Sequence, residues 1–207
     1  MSTKLVTAML TDIASAIGIP GGATISELVN AHLARRQNIA FDLLLEEMRI
    51  GMVTTIDASK QDEFISALWR FSRASIEGSA RQNLRLLARA FAGLASSQSL
   101  YADEFKRYAD ALGDLTREEI VVLAALHKAC VEMRAEKEYY AEDAVARLEQ
   151  TLVSDEFPRL ALHGTLAALS RTGLVARGST MDDMAGWMTT PMMDKVAHLV
   201  RIDEAIG

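Results

Sequence analysis

The chain has 207 residues, half of them apolar, with a formal net charge of −6 and one cysteine, Cys130. That much apolar material supports a proper core, while scarce proline and the lack of low-complexity runs exclude a disordered chain. A single cysteine excludes an internal disulfide framework, and no apolar run approaches the roughly 20 residues that cross a bilayer.

The first residues, "MSTKLVTAMLTDIASAIGIP", are interrupted by Asp12 and lack the long uncharged stretch of a signal peptide. A soluble cytoplasmic protein is therefore expected. Within this segment Leu5, Met9, Ile13 and Ile17 recur at steps of four, which predicts a helix from about Lys4 to Ile17. After the turn "IPGG", Thr24, Ile25, Ser26 and Glu27 form a capping-box pattern. It opens a helix to about Ile50, where Gly51 is a natural stop. His32 and Arg36 fall near the apolar stripe of that helix, and a buried Arg36 needs a partner. Glu46, Glu47 and Glu77 are the candidates, with Arg36 and Glu77 the leading pair.

Ser59 is placed to cap a helix running unbroken to about Ala95, the central strut of a helical bundle. At 100° per residue Arg70, Arg73, Arg81, Arg85 and Arg89 share one arc with Glu77. This is the most basic surface in the sequence and a candidate for an anionic partner. Glu77, however, stands four residues from both Arg73 and Arg81, the spacing of intrahelical ion pairs. A solvated or salt-bridged face is favoured, and no aromatic residues interleave the stripe for stacking on bases.

A shorter helix from about Ala102 to Leu112 uses Phe105, Ala109 and Leu112. Thr116 and Glu119 make a second capping box, opening a helix to about Met133. The polar segment beyond it, with Tyr139 and Tyr140, holds a loop and a short helix near Asp143 to Thr151. Pro158 suits the first turn of a helix from about Asp155 to Thr172, with Leu162, Leu166 and Leu169 facing inward. Gly173 ends it; "LVAR" and "AGWMTT" are short strands around the turn "GSTMDD", and Thr190 with Pro191 starts a last helix carrying Val196, Leu199 and Ile202.

The expected fold is mainly α: a helical bundle around a long central helix over residues 1–114, then a C-terminal module with a β-hairpin over 115–207. Three helices, a hairpin and a closing helix are the order of a winged helix. "LAALSRTGLVARGS" is similar to the end of a recognition helix entering the first wing strand, and "WMTTPMMDKVAHLV" resembles the second strand and following helix. The resemblance covers roughly Leu115 to Ile202. It implies DNA contacts from Arg159, His163, Arg171 and Arg177.

The charge opposes that implication. The chain carries 12 basic and 13 acidic residues up to Asp114, and 10 and 15 beyond it. DNA affinity comes largely from Lys and Arg neutralising phosphates, whereas Asp155 and Glu156 precede the recognition-like helix and Asp182 and Asp183 sit at the wing tip. Packing or protein contact is the favoured use of the module, and DNA the alternative.

A second resemblance spans "ARQNLRLLARAFAGLASSQSLYADEFKRYADALGDLTREEIVVLAAL". It is similar to bacterial and prophage-encoded helical proteins of the Abi-alpha type, in which a "LT-x-E-E" helix leads to a C-terminal hairpin. That likeness implies a phage-exclusion setting without an enzymatic site.

Other motifs point away from chemistry. "GIPGGATIS" lacks the lysine of a P-loop and follows no strand. His32, His127, His163 and His198 lie on separate segments without ligand spacing. Cys130 sits in an apolar helix as an inert thiol. Met181, Met184, Met188, Met192 and Met193 cluster about the hairpin, as core filling or interface padding. The expectation is a non-catalytic protein-interaction or regulatory factor, self-associating, with a protein partner, no cofactor, no metal and no membrane contact. A DNA-binding regulator is the alternative.

Overall fold

Apolar spacing of three and four residues dominates the chain, and the computed structural model is accordingly helical, with one small hairpin near the C-terminus. It describes residues 25–136, 141–154, 157–178 and 186–202, leaving aside the side chains of 25–31 and 141–143. The expected helix from Lys4 to Ile17, the "IPGG" turn, Thr24, Asp155, Glu156, Tyr139, Tyr140 and the hairpin turn with Met181, Asp182, Asp183 and Met184 lie outside the described residues. Contacts divide the chain into two units, Met1–Gly113 and Asp114–Gly207.

In the first unit, α1 (Ile25–Ile50) packs along α3 (Arg81–Ser96), and α2 (Gln61–Glu77) packs against α4 (Ala102–Leu112). Phe91 stands between Phe64 and Phe105 in two edge-to-face contacts, with centroids 5.1 and 5.3 Å apart. Phe71, Phe91 and Phe105 are wholly buried. The helix stops at Ile50 as expected, but the left-handed residue beyond it is Met52, with φ 52°.

The strut expected to run unbroken from Ser59 to Ala95 is two helices. Ser59 does not cap it: Asp57 caps a 3-10 turn, Ala58–Lys60, by accepting from Ser59 N, and α2 begins at Gln61. At the other end Gly78 adopts φ 102°, a left-handed conformation that a residue with a Cβ resists. Ser79 N reaches back to the Ala74 carbonyl at 3.2 Å, a Schellman-type closure. Ala80 is extended, and α3 starts anew at Arg81. Trp69 is half exposed.

Side chains from neighbouring helices close both ends of α4. The Glu63 carboxylate accepts from Ala102 N at 2.6 Å, capping α4, whose own N-cap residue Tyr101 supplies no side-chain bond. Asn83 donates to the Leu112 and Gly113 carbonyls at 2.8 and 3.1 Å, closing the other end of α4.

The second unit is built on α5 (Arg117–Glu136). Thr116 Oγ1 accepts from Glu119 N, and the Glu119 carboxylate accepts from Thr116 N, so the predicted capping box is formed. Around α5 pack α6 (Ala141–Leu152) and α7 (Arg159–Leu169). The helix expected over Asp155–Thr172 is shorter: Pro158 is its N-cap, and a 3-10 turn, Ser170–Thr172, ends it before Gly173 at φ 73°. Leu162, Leu166 and Leu169 are fully buried, each contributing about 1.5–3 kcal/mol.

An antiparallel hairpin follows, β1 (Val175–Gly178) with β2 (Gly186–Thr189), pairing Val175 with Thr189 and Arg177 with Trp187. Thr190 then caps α8 (Pro191–Val200), with Pro191 at its first position. Met193, Val196 and Ile202 are buried and Leu199 partly so.

Candidate functional site

What this surface can do turns on where its cations go. On α2, Arg73 Nε donates to Glu77 at 2.6 Å, while Arg70 pairs with Asp110 and lies 3.7 Å from Glu77. On α3, Arg85 lies 3.7 Å from Glu46, and Arg89 donates to the buried Glu47 at 3.1 Å. Arg81 is exposed at the start of α3. Because the chain turns at Gly78, the five arginines belong to two helices and do not form the single continuous arc that their spacing predicts. Four of them are tied to carboxylates of α1, α2 and α4.

Arg36 is not the partner of Glu77. Its guanidinium donates to the Ser75 carbonyl at 3.0 Å and the Ser79 carbonyl at 2.7 Å. These carbonyls belong to the last turn and exit of α2, where backbone acceptors lose their helical donors. A cation there also meets the negative end of the helix. Glu77 is occupied on the other side by Arg73 and Arg70.

In the second unit the four candidate DNA contacts all have internal partners. Arg159 Nε donates to Glu149 Oε1 at 2.6 Å, and His163 Nε2 lies 3.1 Å from the same oxygen. Burial pushes the Glu149 carboxyl up, but hydrogen bonds from His163 and Arg159 outweigh it and hold the group below its ordinary value. Arg171 reaches both carboxylate oxygens of Glu119 and the Ala168 carbonyl. The hydrogen bonds from Arg171 hold Glu119 below the usual carboxylate range. Arg177 lies over the indole of its cross-strand partner Trp187, 5.0 Å from the ring centre.

Glu149 and Glu119 carry these arrangements, and neither was singled out as a cation partner by spacing. Glu119 was visible only as a capping residue, and Arg171 lies 52 residues away from it. A third clasp was also missed: Arg134 of α5 donates to Asp194 of α8 at 2.7 Å and to Thr189 at the end of β2. Between them, these links hold α7, the hairpin and α8 onto α5 and α6.

The outward side of α7 has a different character. Leu160 is 84 % exposed, and Gly164, Ala167 and Ala168 are exposed with it. It lies between Arg159 and Arg171, both paired with carboxylates, with the half-exposed His163 beside it.

Among the described residues no group of three or more His, Cys, Asp or Glu is arranged to hold a metal ion. Cys130 is a buried free thiol. No described helix is long and apolar enough to cross a membrane. Comparison of the chain with protein-family models, with curated proteins and with solved structures finds no match to any of them.

Proposed function

We propose that this chain is a non-catalytic protein-interaction or regulatory factor, working in the cytosol, whose winged-helix-like C-terminal unit meets another protein instead of DNA. The observation that carries this reading is the state of its cations. Arg159, His163, Arg171 and Arg177 are each bound to a carboxylate or an indole of the same unit. To grip a phosphate each would first have to leave a partner, and the residues beyond Asp114 carry 15 acidic side chains against 10 basic ones. A polyanion gains little from such a face. An apolar side on α7 suits protein contact. The Abi-alpha resemblance adds a prophage or phage-exclusion setting.

The deciding experiment is anisotropy titration of labelled duplex DNA with the full chain at low salt. No saturable binding is expected. Tight binding that weakens steeply with salt, and that is lost in Arg159→Ala and Arg171→Ala, would establish the DNA-binding regulator instead.

A further inference from the structure

The fold treats its oxidisable sulfur atoms unequally. Cys130 is buried inside α5. Among the described methionines, Met48, Met133 and Met193 are buried, and Met188 and Met192 are partly so. Met52 is 84 % exposed. Its position follows from how α1 ends. Val53 N donates to the Met48 carbonyl at 2.9 Å and Met52 N to the Arg49 carbonyl at 3.1 Å, a paired closure whose left-handed residue is ordinarily glycine. Gly51 stands one residue too early to take that place. A Cβ on it would lie 3.3 Å from the Glu47 carbonyl oxygen and 3.7 Å from that of Ala92, so its bareness serves the approach of α1 to α3. The left-handed turn falls to Met52 instead, at φ 52°, and its thioether is left in solvent.

We propose that Met52 is a site of reversible sulfoxidation, with hydrogen peroxide as the oxidant. The Sδ lone pair attacks one peroxide oxygen; an S–O bond forms and the O–O bond breaks. The departing oxygen takes the proton of the transferred one and leaves as water. Sulfur loses two electrons and the peroxide gains them, so a thioether and hydrogen peroxide become a sulfoxide and water. Methionine sulfoxide reductases return such a group to the thioether.

The fold tolerates the change. The bonds that close α1 here, with Gly51 N to the Glu47 carbonyl among them, run between backbone atoms and do not use the Met52 side chain. A sulfoxide oxygen is a strong acceptor, which water satisfies at an exposed position. The same group at Met133 or Met193 would be buried, where an acceptor without a donor is costly. What changes is the surface. Ile50, two residues before Met52, is also half exposed, so oxidation replaces apolar surface by polar at the end of α1.

Timed exposure of the full chain to hydrogen peroxide, quenched with catalase and read by tryptic peptide mass spectrometry, tests this. Met48 and Met52 fall in separate peptides, since Arg49 lies between them. Buried sulfur reacts only through local opening, so Met52 should gain oxygen about tenfold faster, or more, than Met48, Met133 and Met193. In urea the four rates should converge. Methionine sulfoxide reductase should then remove the oxygen from Met52 in the folded chain. Oxidation should shift Tm equally in wild type and in Met52→Leu, because the Met52 sulfoxide leaves the fold undisturbed. Met52 reacting no faster than Met48 in the folded chain overturns the proposal, as does a sulfoxide that the reductase leaves in place. A larger loss of Tm in wild type than in Met52→Leu overturns the tolerance of the fold.

Discussion

Arg171 grips the carboxylate of Glu119 through both terminal nitrogens, and that same carboxylate closes the first turn of α5 by accepting from Thr116 N. One buried anion therefore serves a helix start and a long-range clasp. Removing Arg171 leaves the charge buried with only its backbone donor. Arg171→Ala should cost about 1–3 kcal/mol, measured by urea denaturation, because the lost guanidinium is itself half exposed. Acid dependence gives a second readout. Glu119 titrates below its ordinary 4.5 in the folded protein, so its contribution is fully present above that pH and disappears as pH falls through the lowered value. The variant should lose less stability than wild type on acidification. An equal slope in both would show that Arg171 is not what holds the carboxylate ionised.

Arg36 and Glu77 should act independently. Arg36→Met leaves the Ser75 and Ser79 carbonyls without their guanidinium donor and should cost about 1–3 kcal/mol. Glu77→Gln disturbs only exposed pairs and should stay within about 1 kcal/mol. A double-mutant cycle is expected to return no coupling. A coupling of an ion pair's size would restore the pairing that the sequence suggested.

Two glycines should respond oppositely to alanine. Gly164 lies inside α7 with open space where a Cβ would go, so Gly164→Ala should stabilise by about 0.5–1 kcal/mol. Gly78 has space as well, but its φ of 102° is strained for any side chain. Gly78→Ala should destabilise by about 1–2 kcal/mol. Thermal melts of both variants suffice, and a stabilising Gly78→Ala would mean that the two helices can fuse into the continuous strut.

Phe91 joins Phe64 and Phe105 in the centre of the first unit. Phe91→Ala should cost about 3–5 kcal/mol through the cavity it leaves, while Phe91→Leu should recover much of that. Chemical denaturation followed by Trp69 fluorescence, in a Trp187→Phe background that silences the second unit's indole, would report on the unit. A loss under 1 kcal/mol for alanine, as for a surface substitution, would place Phe91 outside the core.

Elements with local signatures are legible in the sequence. Gly173, Thr190 with Pro191, and the Thr116–Glu119 box each set a boundary through backbone chemistry confined to a few residues. The strut from Ser59 to Ala95 is not legible as two helices because the arginine spacing continues across Gly78 to Ala80 as if the helix did. Periodicity measures faces, and a short turn can carry the chain round without disturbing it. The charge partners were least readable. Glu77 is close in sequence to Arg73 and was seen; Glu119 and Glu149 meet Arg171 and Arg159 only because helices are packed together. Ion pairing across 52 residues has no local signal, so a face that looked available in the sequence is occupied in the fold.

The two ends of α4 carry a consequence for how the first unit opens. At 11 residues, this helix is too short to persist alone in water. Its first amide is held by Glu63 of α2, and its last carbonyls by Asn83 of α3. It therefore cannot fray from either terminus until a neighbour has let go. Its interior amides should exchange with solvent deuterium no sooner than those of the helices that grip it, which makes α4 a reporter of cooperative opening.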